Sequence, residues 1–140
     1  TRKPFIATQP LIVKKRVDST RNSMGTEFLS SPYQGAKIVL GQLLTTKMTA
    51  NGSRYSNNTT VEQGFHAYLY NADRKDWKCR LRLNRKGMVT IYGVIPAGAK
   101  YYIGSNKEVV TESITYYRNL PSLRKAFNVK KFGEPVRGDY

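Results

Sequence analysis

The chain has 140 residues, with 24 Lys and Arg against 9 Asp and Glu, a formal net charge of +15 and a pI near 10.1. That length fits one domain able to bury a core. The aromatic content of 11% excludes wholesale disorder, and no apolar run reaches the roughly 18 residues of a membrane span. A charge excess of this size destabilises a compact state by self-repulsion, so it points to an acidic partner.

Residues 1–34 contain Pro4, Pro10 and Pro32, scattered Ser and Thr, and only short apolar groups, Phe5-Ile6 and Leu11-Ile12-Val13. Pro4 and Pro10 disfavour helix. The segment is expected to be an extended basic arm that docks on a partner through Phe5, Leu11, Ile12, Lys14, Lys15 and Arg16. From Ala36 to Met48 the chain is rich in Ile, Val and Leu, and Gly41 marks a bulge or turn between two strands. Residues 50–64, with Asn51-Gly52-Ser53 and Asn57-Asn58-Thr59-Thr60, form an expected polar loop, and Phe65 to Tyr70 an expected strand. The Asn-x-Ser/Thr triplets at Asn51, Asn57 and Asn58 fit that loop more simply than a set of glycan acceptors.

Residues 77–83 alternate strictly. Trp77, Cys79, Leu81 and Leu83 point one way, and Lys78, Arg80 and Arg82 the other, the period-2 signature of a half-buried strand. Asn84 to Gly87 turns the chain, Met88 to Ile95 returns, Pro96-Ala97-Gly98 turns again, and Ala99 to Ile103 completes an expected three-stranded meander. Residues 108–117 are ambiguous between strand and helix, with Val109, Val110, Ile114 and Thr115 favouring strand. Leu120, Leu123 and Phe127, at helical spacing after Asn119, predict a short helix over 121–127. Residues 128–140 form an expected basic extended tail that makes contacts through Lys130, Lys131, Phe132 and Tyr140. The fold class that follows is mainly β, a small antiparallel meander or barrel-like domain over 35–127, with one short C-terminal helix and basic arms at both ends.

The densest basic cluster is Arg74, Lys75, Lys78, Arg80, Arg82, Arg85 and Lys86, with Tyr68, Tyr70, Trp77 and Tyr92 nearby. Cations position phosphates and aromatic rings stack on exposed bases, so these seven are the candidate polyanion-binding residues. An acidic protein surface would select the same pattern. Enzyme signals are thin. His66 is the sole histidine, and a lone histidine more often packs in a core than acts as a base. Asp73 with Asp76 and Glu108 with Glu112 lie among lysines, as solvated salt partners do. Cys79 is the one cysteine, which excludes an intrachain disulfide framework and a cysteine-based zinc site. No metal or cofactor is expected. Arg137-Gly138-Asp139 is a three-letter match that carries little information.

Tyr70-Asn71-Ala72-Asp73, Lys78-Cys79-Arg80-Leu81, and Gly87 through Tyr101 with the turn Ile95-Pro96-Ala97-Gly98 resemble the C-terminal half of a SET domain. Ser31 to Gly35 faintly resembles the family's entry segment. The resemblance implies that Asn71 stands where the methyl donor is held, and that Ile95, Ala97 and Gly98 form the family's turn. The chain departs from the pattern at Ala72 in place of histidine, at Ala99 and Lys100 in place of two acidic residues, and at Ile103-Gly104-Ser105 where a catalytic tyrosine stands.

The expected function is therefore non-enzymatic: a scaffold, coat or linker subunit that neutralises an acidic partner in a larger assembly. A nucleic-acid-binding or capsid-type protein is the first alternative, and a degenerate SET-like methyltransferase the second. With no secretory h-region at the N-terminus, an intracellular, organellar or virion setting is expected.

Overall fold

The computed structural model describes residues 4–32, 36–52, 59–72, 86–104 and 107–127. Its strands are β1 (Phe5–Ile6), β2 (Leu11–Arg21), β3 (Glu27–Ser30), β4 (Leu43–Thr45), β5 (Thr49–Gly52), β6 (Thr59–Gln63), β7 (Phe65–Leu69), β8 (Met88–Ile95), β9 (Lys100–Ile103), β10 (Glu108–Thr111) and β11 (Ser113–Tyr117). Among the described residues one helix, α1 (Leu120–Phe127), follows them. The protein is mainly β. Nine strands make one sheet in the order β1-β9-β10-β7-β2-β8-β11-β4, with β3 beside β2, while β5 and β6 pair separately. Every strand ladder is antiparallel.

The expected N-terminal arm is corrected by β2, which lies near the middle of the sheet. Along one edge it pairs with β8 over Leu11 to Asp18. Along the other it pairs with β7 at Val13 and Lys14, then with β3 from Asp18 to Arg21. Leu11, Val13 and Val17 are fully buried. Each such side chain stabilises the fold by roughly 1.5–3 kcal/mol through removal from water. Phe5 also turns inward, its ring 5.8 Å from that of the buried Tyr101. The apolar residues look isolated along the chain because a strand sends only every second side chain to the core, and because Lys15 occupies one of those positions.

The core lies on one face of the sheet. Opposite Leu11, Val13, Lys15 and Val17 of β2 stand Ile95, Gly93, Ile91 and Val89 of β8. Leu69 and Ala67 of β7, Val109 of β10, Tyr101 of β9, and Ile114 and Tyr116 of β11 complete the buried cluster. Gly93 is required by this packing. A β-carbon there would meet Ile114 at 3.1 Å and Val13 at 3.2 Å.

Other expectations divide. Met88–Ile95 forms with its expected bounds, delimited by Gly87 (φ 88°) and Pro96. The expected strand 77–83 lies outside the described residues, and the other two strands of the expected meander do not pair with each other: β8 pairs with β2 and β11, and β9 with β1 and β10. The turn at Pro96–Gly98 carries the chain to Ala7, which accepts from the Gly98 amide and donates to Ala99. The polar segment 50–64 is not simply a loop, since Thr49–Gly52 and Thr59–Gln63 pair with each other. Its mostly polar residues left no alternation to mark it. The ambiguous stretch 108–117 is two strands, β10 and β11, parted at Glu112. Gly41 (φ 73°) turns the chain before β4, although the residues ahead of it make only isolated bridges at Lys37 and Leu40. Asn119 caps α1 by accepting the Ser122 amide at 2.9 Å, and the buried Leu123 faces β8 and β11.

Candidate functional site

Strand alternation splits the cluster Lys14-Lys15-Arg16 between the two faces of β2. Lys14 and Arg16 are half-buried on the outer face, while Lys15 is 8% exposed among the core residues. The same alternation sends Ile12 outward, half-buried, and Leu11 inward.

Around Lys14 the ladders align a row of side chains across five strands. Lys14 is opposite Tyr68 on one side and Tyr92 on the other; Tyr68 is opposite Glu108, and Tyr92 opposite Tyr117. Directly opposed residues share a face, so on the outer face Lys14 lies between the buried Tyr68 and the half-buried Tyr92. The Lys14 ammonium also sits 5.9 Å from the centroid of the Tyr70 ring, within cation–π range. The Tyr70 and Tyr92 rings are 6.2 Å apart. Desolvation, and secondarily Tyr70, pushes the Tyr92 hydroxyl pKa up, so this ring stays neutral. Arg16 donates to Thr90 Oγ1 at 3.2 Å. At the far end of the row, Tyr117 meets Phe127 of α1 edge to face at 5.9 Å.

The expected polyanion residues Arg74, Lys75, Lys78, Arg80, Arg82 and Arg85 lie outside the described residues, as do Trp77, Cys79, Asp73 and Asp76. Lys130, Lys131, Phe132, Tyr140 and the Arg137-Gly138-Asp139 triplet lie outside them too. Lys86 is exposed, in the turn before β8. The two ends of the 73–85 segment are placed, however. Lys14 Nζ donates to the Ala72 carbonyl at 2.6 Å, and Ala72 is buried in one cluster with Tyr68 and Met88. The chain therefore enters and leaves its most basic stretch beside the Lys14 row.

The inner face presents a different environment. Burial lowers the Lys15 amine to about 8, partly offset by the Glu108 carboxylate. Its ammonium donates to the His66 carbonyl. The His66 side chain alternates with Ala67 to the other face of β7, where burial holds its imidazole below its ordinary value; Glu108 opposes this shift and Lys15 reinforces it. A neutral, partly buried ring is what a packed histidine requires. Sequence reading placed Lys15 among surface contacts. The signal that could have corrected it is the alternation Leu11, Val13, Lys15, Val17.

Asn71, which carries the resemblance to SET domains, is exposed at the end of β7, and its neighbour Tyr70 donates its amide to Ile12. Ile95 is opposite Leu11 at that same end of β2, with Ala97 and Gly98 in the turn just beyond. Among the described residues no group of three or more His, Cys, Asp and Glu is placed to hold a metal ion, and no helix is long and apolar enough to cross a membrane. No protein-family model, curated protein or solved structure matches the chain.

Proposed function

We propose that this protein is a non-enzymatic polyanion-binding module whose outer sheet face engages single-stranded nucleic acid. The observation that carries the reading is the row of Lys14 with Tyr70, Tyr92 and Tyr117, flanked by Arg16. Ammonium and guanidinium groups neutralise phosphates, and tyrosine rings offer stacking surfaces to bases of any sequence. The net charge of +15 supplies the long-range attraction. The basic stretch between Ala72 and Lys86 begins and ends beside the row. An acidic protein needs the charge but not the rings, which is why nucleic acid is preferred.

The test is a fluorescence-anisotropy titration with an oligo(dT) strand over a salt series, with polyglutamate as competitor. Supporting results are a steep loss of affinity with salt and a clear weakening in Tyr92→Ala as well as in Lys14→Ala/Arg16→Ala. If polyglutamate binds as tightly as the oligonucleotide and Tyr92→Ala changes nothing, the partner is an acidic protein surface. Absence of binding to either removes the reading.

A second reading, a SET-like methyltransferase, draws on the position of Asn71 and the 95–98 turn at one end of β2. It requires S-adenosylmethionine to bind; no calorimetric signal at millimolar donor removes it.

A further inference from the structure

Strands β7 and β3 both pair with the same edge of β2, but with different parts of it, at Val13–Lys14 and at Asp18–Arg21. Between those ladders the sheet opens, and a cavity of about 270 Å³ lies there. Lys15 lines it, with Ile38, Leu44, Phe65 and the fully buried Tyr116 as its apolar wall and a second cation, the exposed Lys37, at its rim. Gly64 keeps the wall at the β6–β7 junction thin. At φ 146°, a β-carbon there would run into Val110 at 2.6 Å.

The ammonium in this cavity is incompletely served. It carries three donors, and among the described residues its one hydrogen bond goes to the His66 carbonyl. Among those residues no carboxylate lies within ion-pair distance of it. A buried cation with no carboxylate in direct contact is costly, the Glu108 charge acts on it only from beyond ion-pair distance, and at neutral pH Lys15 remains largely protonated. The surroundings define what would complete it. The one buried ammonium complements one negative charge, while Lys37 is exposed at the rim and its charge is screened by solvent. The apolar walls call for an apolar body, and the volume falls just below the roughly 300 Å³ at which pockets for drug-sized ligands begin.

We propose that this cavity binds a small monocarboxylic acid, its carboxylate paired with Lys15 and its apolar body against Phe65, Ile38 and Leu44. The site is on the opposite face of β2 from the Lys14 row, so the proposal does not depend on nucleic-acid binding.

Benzoate is the probe, added to the whole protein in high salt so that surface cations are screened. Benzamide has the same shape without the charge, and acetate the charge without the ring. Melting temperature and side-chain NMR of Lys15 are the readouts. Benzoate is expected to raise the melting temperature saturably, and to bind at least about tenfold more tightly than benzamide or acetate, the gain of a charged hydrogen bond. Lys15→Met should abolish the preference over benzamide. Leu44→Trp, which fills the cavity and leaves Lys15 in place, should block benzoate, and it serves as the test if Lys15→Met does not fold. Any of three results overturns the proposal: no saturation at millimolar benzoate, equal binding of benzamide or acetate, or undiminished benzoate binding by a folded variant.

Discussion

The two faces of β2 carry chemically similar residues into opposite circumstances. On the outer face Lys14 and Arg16 keep contact with solvent, and their charges are offset by a tyrosine ring, a carbonyl and a threonine hydroxyl. On the inner face Lys15 is enclosed by the core, and desolvation dominates its titration. Neighbouring lysines thus differ because a strand alternates, and at this point of β2 the outer face keeps contact with solvent while the inner face is core. A basic run in a β protein is therefore not automatically a basic patch; its alternate members belong to different physical problems.

That contrast is sharpest in apolar residues. Leu11→Ala on the inner face should cost about 2–5 kcal/mol in urea-unfolding experiments, while Ile12→Ala, half-buried one position along, should cost well under half as much. Gly93→Ala tests the same face from β8. With contacts of 3.1–3.2 Å waiting for its methyl group, overpacking should cost about 1–3 kcal/mol.

The lysines themselves separate by pH. Free lysine titrates near 10.5 and Lys15 in the fold near 8. Between those values the unfolded chain holds more protons, so stability should rise with pH across that window; below it, the cost of the buried charge is present in full. Urea midpoints for the native protein and Lys15→Met, compared from pH 7 to 10.5, should show this rise in the native protein only. Lys14→Met should leave the profile unchanged.

A smaller effect marks where β2 leaves the core. Glu27 of β3 accepts from Arg118 through both oxygens, at 2.8 and 3.3 Å, and from Ser19 at 2.6 Å. These hydrogen bonds, Arg118 first, hold its carboxyl below 4.5. The stabilisation is complete above the ordinary carboxylate range and disappears as pH falls through the lowered value. Glu27→Gln should lose about 1 kcal/mol near neutral pH and less in acid, as thermal melts would show. Smallest of all for stability, Arg16→Ala should shift the urea midpoint by an amount equivalent to about 0.5 kcal/mol or less. Its effect should appear instead in the oligonucleotide titration, as a shallower salt slope.

Much of the local structure was legible. Gly87 and Pro96 delimit β8 because one supplies a positive φ and the other stops the ladder. Asn119 announces α1 because its side chain accepts an amide that the first helical turn leaves unpaired. The arm was misread because Lys15 occupies a core position and breaks the apolar pattern that would have revealed β2. The Lys14 row was illegible as an arrangement, although Tyr68, Tyr70 and Tyr92 had been singled out. Its members lie more than fifty residues from Lys14 in sequence and meet only through ladder register.

The sequence alone therefore determined the antiparallel β character, the short capped helix, several turn positions and the excess of positive charge, since each depends on neighbours within a few residues or on composition. Tertiary structure decided that residues 11–21 form an inner strand, that β8 and β9 pair with distant partners, and that Lys15 is enclosed while Lys14 is not. Strand pairing is a competition among all edges of the chain, and burial follows from its outcome, so neither can be read from a local window.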